Sequence, residues 1–158
     1  LLAEVPFEVT PGIPALAAAA ALLGAPLMHD FAVISLSDLL TPREVIMRRV
    51  IAAAEADFVI VLYNPRSKKR HDLLAQALHE ISRRRGANTP VGLVRNAFRE
   101  EQETDVTTIA DFDPARVDML SLLVIGNEST RALKVGDGQK ERLLMLTPRG
   151  YAGKYEIG

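Results

Sequence analysis

The sequence predicts an α/β domain whose mixed, mostly parallel sheet is flanked by helices. Apolar segments of strand length at 31–36, 58–62 and 91–94 alternate with longer segments that carry apolar residues at helical spacing. Such an alternation is typical of α/β domains with a parallel sheet. The segments after position 100 lie too close together for the helical crossovers that parallel strands require. We therefore expect antiparallel pairs in the second half of the sheet.

The first elements are a short strand at 5–10 and a helix that begins at Pro14. Proline suits the first turn of a helix, and the alanine-rich run that ends at Leu23 favours helix propagation. Gly24 is a typical helix stop. The next strand, 31–36, is a continuous apolar run of the kind that is buried on both faces.

Two further helices are predicted from capping signals and periodicity. Thr41 is expected to cap the second helix with Pro42 in its first turn, and the buried strand 58–62 follows. The third helix is expected over 67–85, with an apolar stripe of Leu73, Leu74, Ala77, Leu78 and Ile81. The remaining strands are expected at 91–94, 106–109, 120–125 and 143–146.

The composition is that of an ordinary soluble domain. The 158 residues are 48% apolar and 25% charged, and the net charge of −1 and the lack of Trp argue against a nucleic-acid partner. The lack of cysteine excludes a disulfide scaffold and a cysteine nucleophile, and we expect a cytoplasmic protein. The longest apolar run is shorter than the ~20 residues that span a membrane, so we expect no membrane partner.

Signatures of the common catalytic classes do not occur in the sequence. The chain has neither of the glycine-rich phosphate loops and no G-x-S-x-G turn, which argues against nucleotide hydrolysis and a triad hydrolase. The histidines His29, His71 and His79 lack the convergent spacing of metal ligands. We therefore expect no metal site.

Asparagine follows three of the predicted strands. Asn64, Asn96 and Asn127 each stand two positions after an apolar strand. Ligands of open α/β sheets bind at the carboxyl ends of the strands, which favours a ligand crevice. Asparagine also forms turns readily, so turn formation alone remains the alternative interpretation.

Basic residues are dense beside two of these strand ends. They favour either a ligand rich in carboxylates or a solvated surface. The residues are Arg66, Lys68, Lys69 and Arg70 after the first strand, and Arg95 and Arg99 after the second.

Several motifs together resemble the precorrin-3B C17-methyltransferase family of tetrapyrrole methyltransferases. In chain order they are VTPGIPALAAAAALLGAPL, HDFAVISLSDLLTP, ADFVIVLYNPRSKKR, TPVGLVRNAFRE, VTTI, VDMLSLLVIGN and TPRGY. The combination of ISLSDLLTP and LYNPRS is the specific part of the resemblance, whereas the PGI segment before the first helix is shared more widely.

The resemblance implies a two-domain enzyme with S-adenosylmethionine in the cleft between the domains. Residues 1–158 resemble the carboxyl-terminal α/β domain, and the amino-terminal domain, with its glycine-rich loop and GDP-type motif, is absent from this chain. The chain also begins with Leu. We interpret it as a fragment that is inactive by itself.

Carried over position by position, the resemblance implies two sets of site residues. The set for S-adenosylmethionine is Pro14, Ala15, Asn64, Asn96, Ala97 and Thr108. The set for the carboxylates of a corrinoid precursor is Arg66, Lys68, Arg95 and Arg99, with Arg43 and Lys69 as further candidates. The cofactor carries the reactive methyl group, so no acid–base signature is required, and no catalytic residue is assigned.

The predicted function is methyl transfer to C17 of precorrin-3B, with ring contraction, in cobalamin biosynthesis. The exposed half of the cleft should be apolar, and we expect a homodimer. Two alternatives remain open: another tetrapyrrole methyltransferase of the cobalamin or sirohaem pathways, and a non-catalytic α/β interaction module. The sequence also leaves open whether the substrate carries cobalt.

Overall fold

A computed structural model describes residues 6–65, 72–136 and 141–149 of the chain. Within these ranges the chain forms three helices and eight strands, and the predicted mixed α/β fold with flanking helices is confirmed. The elements are α1 Ala15–Leu23, β1 Gly24–Ala25, β2 Phe31–Ser35, α2 Arg43–Glu55, β3 Val59–Tyr63, α3 Asp72–Ser82, β4 Pro90–Arg95, β5 Glu103–Thr108, β6 Ser121–Ile125, β7 Arg131–Val135 and β8 Arg142–Leu146.

The larger sheet has the strand order β2-β3-β6-β4-β5. Strands β2 and β3 are parallel, whereas the described pairs β3–β6, β6–β4 and β4–β5 are antiparallel. The parallel share of the sheet is therefore smaller than predicted. The reason is that β6 inserts between β3 and β4, which run in the same direction, and so gives both of them an antiparallel neighbour.

A smaller sheet has the order β1-β8-β7. Strand β1 pairs with β8 in parallel, and β7 and β8 form an antiparallel pair. Neither β1 nor β7 was predicted, because β1 has two residues and β7 is a largely exposed strand that contains Arg131 and Lys134.

Apolar side chains fill both faces of the larger sheet. Helices α2 and α3 cover one face, and all five residues of the predicted α3 stripe are buried there, which confirms that prediction. Helix α1 covers the other face, where Leu23 packs with Val61, Val124 and Met145. The two layers hold the strands in a fixed order, and this order decides which strand ends meet.

Three local predictions were wrong. The described residues 6–10 form no strand and are exposed, because no neighbouring strand pairs with them. Strand β2 is buried on one face only: Ile34 packs into the core, whereas Phe31 and Val33 on the uncovered face are exposed. Helix α2 has Pro42 rather than Thr41 at its cap position, and no side chain there accepts a capping hydrogen bond.

Candidate functional site

The carboxyl ends of β2, β3 and β4 lie at one edge of the larger sheet. Strand β6 runs antiparallel to both β3 and β4, so these two strands share the direction of β2. Their last residues are Ser35, Tyr63 and Arg95. We call the polar turns that follow them the site edge, which comprises residues 35–42, 63–65 and 95–102. It also includes the start of α1 and the loop 118–120, which contacts Arg95 and Asn96.

Asn64 and Ser35 connect the turns that follow β3 and β2. The Asn64 side-chain amide donates to Ser35 Oγ at 3.0 Å, and the Ser37 N–H donates to the same oxygen at 3.3 Å. Asn64 has a left-handed backbone with φ of 51°. Asparagine tolerates this conformation better than most residues do, so the residue type suits the position.

Asn96 begins a second left-handed turn beside the first. Its φ is 50°, and Phe98 and Glu101 in the same turn have φ of 57° and 58°. The Asn96 N–H donates to the Leu120 carbonyl at 3.3 Å, and the Asn96 carbonyl accepts from the Arg99 N–H at 2.9 Å. Sparsely populated backbone conformations cluster at functional sites, and four such residues, with Asn64 included, lie at this edge.

The amino terminus of α1 joins the same edge through Tyr63. The Tyr63 hydroxyl accepts a hydrogen bond from the Leu16 N–H at 2.7 Å. Leu16, Tyr63 and Ala97 also pack against one core cluster. The contact places the exposed residues Pro14 and Ala15 near the end of β3.

Arg95 is held by an acidic neighbour. Its Nε donates to Asp118 Oδ2 at 2.7 Å. Burial opposes ionisation of Asp118, but hydrogen bonds from Ser121 Oγ and the Leu120 N–H, together with the charge of Arg95, hold the pKa of Asp118 below its ordinary value. The guanidinium of Arg95 therefore already has a partner within the chain.

Two other predicted cations differ in their surroundings. Arg43 forms an ion pair with Asp72 at 2.7 Å, which raises the pKa of Arg43 although desolvation opposes the shift. Arg99 is exposed and faces solvent beside Asn96. Arg66, Lys68, Lys69 and Arg70 lie outside the described residues.

A cavity of about 550 Å³ opens beside Asn64. It is lined by Ser35, Ser37, Leu39, Leu40, Thr41 and Arg49. Leu40 is 97% exposed, and large apolar side chains are exposed elsewhere at the site edge as well, including Phe98, Met119 and Leu120. A surface with polar turns and an apolar rim suits an amphipathic ligand or a second protein surface.

Thr108 and Asn127 lie at the opposite edge of the sheet. Thr108 pairs with Pro90 at the start of β4, and Asn127 follows the carboxyl end of the antiparallel β6. Roughly 17 Å of strand, at about 3.3 Å per residue, separates this edge from the site edge. The expectation that Asn127 shares a crevice with Asn64 and Asn96 was therefore wrong, and Thr108 is not brought to the other predicted cofactor residues.

The side chain of Asn127 instead has structural contacts. Its Nδ2 donates to the Asp57 carbonyl at 3.2 Å, and its Oδ1 accepts from the Ser129 and Thr130 hydroxyls. Asn127 is 5% exposed. For this residue the turn interpretation describes the structure.

Three residues of the site edge were not predicted as site residues. Ser35 and Tyr63 are polar residues at the ends of apolar strands. This change from apolar to polar residues is the signal that the sequence offers for them. Asp118 lies in a loop and contacts Arg95 over a sequence separation of 23. No local pattern indicates a contact of this kind.

The described ranges hold neither a metal-binding cluster nor a membrane-spanning helix. In residues 6–65, 72–136 and 141–149, no group of three or more acidic or histidine side chains has a geometry that could hold a metal ion. No helix in the same ranges is long and apolar enough to cross a membrane.

Comparison with known proteins identifies the family. The profile described as "Tetrapyrrole (Corrin/Porphyrin) Methylases" matches residues 1–113. The chain belongs to this family. A "Probable cobalt-factor III C(17)-methyltransferase" of Salmonella typhimurium is 52% identical over 148 residues, which cover 94% of this chain and 58% of the relative. A "Precorrin-3B C(17)-methyltransferase" of Sinorhizobium sp is 46% identical, with 95% of this chain and 58% of the relative covered.

Solved structures of tetrapyrrole methylases share the fold. The crystal structure of the methyltransferase CobJ superposes with a TM-score of 0.77 at 37% identity, covering 87% of this chain and 54% of that protein. A cobalt precorrin-4 methyltransferase is similar at 22% identity with a TM-score of 0.55, which supports the fold alone. This tetrapyrrole methylase chain thus spans a little over half the length of these relatives.

Proposed function

We propose that residues 1–158 are the carboxyl-terminal domain of a two-domain, S-adenosylmethionine-dependent C17-methyltransferase of cobalamin biosynthesis. The observation that carries the proposal is the pair of left-handed turns at Asn64 and Asn96, which lie at the same edge of the sheet on strands separated only by β6. The names of the Salmonella and Sinorhizobium relatives both specify methylation at C17. The proposed reaction methylates a precorrin-3B-type ring and contracts it.

The polar turns and the apolar rim of the site edge support the proposal that it binds S-adenosylmethionine. The amides of Asn64 and Asn96 and the backbone groups of Ala97 would hold its polar atoms, and the apolar rim would exclude water from the reacting groups. Pro14 and Ala15 would contribute through the start of α1. Thr108 lies at the opposite edge of the sheet and is therefore left out of the proposed cofactor site.

The cofactor would supply an electrophilic methyl group on a sulfonium. Transfer to a ring carbon is an in-line displacement, so alignment of the two reactants supplies most of the acceleration. The residues of the site edge would bind and orient the reactants rather than move protons, which fits the absence of an acid–base pair among Asn64, Asn96 and Ser35.

The corrinoid substrate carries several carboxylates, and basic residues would bind them. Arg99 is exposed next to Asn96, which supports a role in substrate binding. Arg66 and Lys68 remain proposed substrate contacts. Arg95 would contribute only if Asp118 released it, so we assign Arg95 primarily to the architecture of the site.

We further propose that the protein is a cytoplasmic homodimer and that an amino-terminal domain covers the apolar rim of the site edge. Leu40 and Phe98 are 97% and 67% exposed. Large apolar side chains exposed to this extent mark an interaction site, which supports contact with such a domain.

The test supplies the missing half of the enzyme. The part of the Salmonella relative that this chain does not match is fused to the chain, and the fusion is assayed with S-adenosylmethionine and a corrinoid precursor. We expect the mass of the product to rise by one methyl group, with the new group at C17. The 158-residue chain by itself should give no product.

Two outcomes would contradict the proposal in different ways. Methyl transfer by the chain alone would contradict the two-domain assignment. A folded fusion that binds S-adenosylmethionine but methylates a different ring position would contradict the C17 assignment and favour another tetrapyrrole methyltransferase.

A further inference from the structure

The carboxylate of Asp118 is fully engaged beside the candidate site. Its Oδ1 accepts from the Leu120 N–H at 2.9 Å and from Ser121 Oγ at 2.8 Å, while Oδ2 accepts from Arg95 Nε at 2.7 Å. The Asp118 N–H in turn donates to Ser121 Oγ at 3.1 Å. One side chain therefore ties the end of β4 to the loop that leads into β6.

This loop is held by polar contacts rather than by packing. Met119 and Leu120 are 53% and 56% exposed, so their apolar side chains contribute little to fixing the turn. The hydrogen bonds to the Asp118 carboxylate define the path of residues 118–121 instead. Bonds to an ionised acceptor are stronger than neutral ones, which suits this task.

The fixed turn supports the backbone of Asn96. The Asn96 N–H donates to the Leu120 carbonyl at 3.3 Å. The N–H of the same Leu120 donates to the Asp118 carboxylate. Arg95, the residue before Asn96, is held by the same carboxylate. Asn96 is thus restrained from both sides in its left-handed conformation, which is costly for a residue other than glycine.

We propose that Asp118 is a positioning residue that keeps the Asn96–Ala97 turn in the shape that binds the cofactor. This inference rests on the proposed function, because it assigns the turn to S-adenosylmethionine. Asp118 itself touches neither reactant. A pre-formed turn raises the affinity for a ligand, because the binding groups then lose less conformational entropy when the ligand binds.

Asp105 offers a matched control. It is also a carboxylate paired with an arginine, since it accepts from Arg116, and its side chain is 35% exposed against 41% for Asp118. Asp105 lies in the middle of β5 and makes no described contact with the Asn96 turn. Loss of Asp105 therefore removes a carboxylate–arginine pair without touching the Asn96 turn, whereas loss of Asp118 should affect the turn.

The experiment compares Asp118→Ala and Asp105→Ala in the fusion protein of the preceding subsection, which supplies both walls of the cofactor cleft. S-adenosylhomocysteine, the unreactive product form of the cofactor, is titrated while backbone amide NMR shifts are recorded, and thermal unfolding is measured in parallel to show that each variant is folded. We expect an increase of about tenfold in Kd for Asp118→Ala, and less than a twofold change for Asp105→Ala. The exchange rate of the Asn96 amide should rise only in Asp118→Ala.

Asp118→Asn replaces Asp118→Ala as the test variant if Asp118→Ala does not fold. It keeps an acceptor for the Leu120 N–H but loses the charge that holds Arg95, so its Kd should lie between those of the wild type and Asp118→Ala. Equal affinities in the wild type and the Asp118 variants would overturn the inference and leave the proposed function standing. Failure of the wild-type fusion to bind S-adenosylhomocysteine would overturn the proposed function, and the inference with it.

Discussion

Arg85 connects three elements at the edge of the sheet that lies opposite the candidate site. Its guanidinium donates to the Gly126 carbonyl at 2.5 Å, to the Ala53 carbonyl at 3.2 Å and to the Phe58 carbonyl. The side chain is only 4% exposed, and burial lowers the pKa of Arg85. One cation thus joins α2, the start of β3 and the end of β6.

Replacement of Arg85 should therefore be costly. Arg85→Met would leave three backbone carbonyls without their donor, and we expect the free energy of unfolding to fall by about 3 kcal/mol. The measurement is urea unfolding followed by circular dichroism. Arg83→Met is the control, because the Arg83 side chain is 66% exposed and its loss should change stability by less than about 0.5 kcal/mol. Equal effects of the two variants would refute the structural role of Arg85.

Asp118 should make stability depend on pH in a defined direction. Its folded-state pKa lies below the ordinary value of about 3.9, so the ionised carboxylate stabilises the folded state above that pH. This contribution is lost as the pH falls through the folded-state pKa. We expect Asp118→Asn to be less stable than the wild type at pH 7, and the difference to shrink steadily on acidification below pH ~4. Urea unfolding of both proteins across this pH range measures the difference in stability. A difference that grows toward acid pH would contradict the lowered pKa of Asp118.

At the scale of the element, Gly24 shows how α1 is joined to the smaller sheet. Gly24 ends α1 with φ of 116°, and it also pairs with Met145 as the first residue of β1. A Cβ at this position would lie 2.8 Å from the Met145 carbonyl oxygen. Both the backbone conformation and the close approach of β8 therefore require glycine.

Gly24→Ala should destabilise the chain by about 2 kcal/mol, because strain and a backbone clash add. Gly86→Ala is a suitable control, since a Cβ at Gly86 meets nothing within 4 Å. Differential scanning calorimetry should show a clear fall in Tm for the first variant and little change for the second. Equal stability of Gly24→Ala and Gly86→Ala would contradict the close approach of Gly24 to Met145 in β8.

Elements with a local signal could be predicted from the sequence. The α3 stripe and the buried run of β3 depend on residue order alone, and all five α3 stripe residues are indeed buried. The segment 6–10 has strand-like residues but no neighbouring strand, and β7 is largely exposed yet pairs with β8. Whether a segment becomes a strand thus depended on partners that are distant in sequence.

At the scale of the whole molecule, the placement of β6 decides the composition of the site. The insertion of β6 between β3 and β4 brings Asn64 and Asn96 to one edge and sends Asn127 to the other. Strand direction is a property of topology, so three similar strand ends in the sequence could not reveal which two would meet. The turns at Asn64 and Asn96 were predictable, whereas the Tyr63 and Asp118 contacts that hold them were not.

Binding of the cofactor at the site edge can be measured by an NMR titration of the fusion protein with S-adenosylhomocysteine, in which amide shifts are followed at both edges of the sheet. Within residues 1–158 we expect the largest shifts at Asn64, Asn96 and Ala97, and small shifts at Asn127 and Thr108. Shifts centred on Asn127 and Thr108, or no shifts at millimolar ligand, would contradict binding at the site edge.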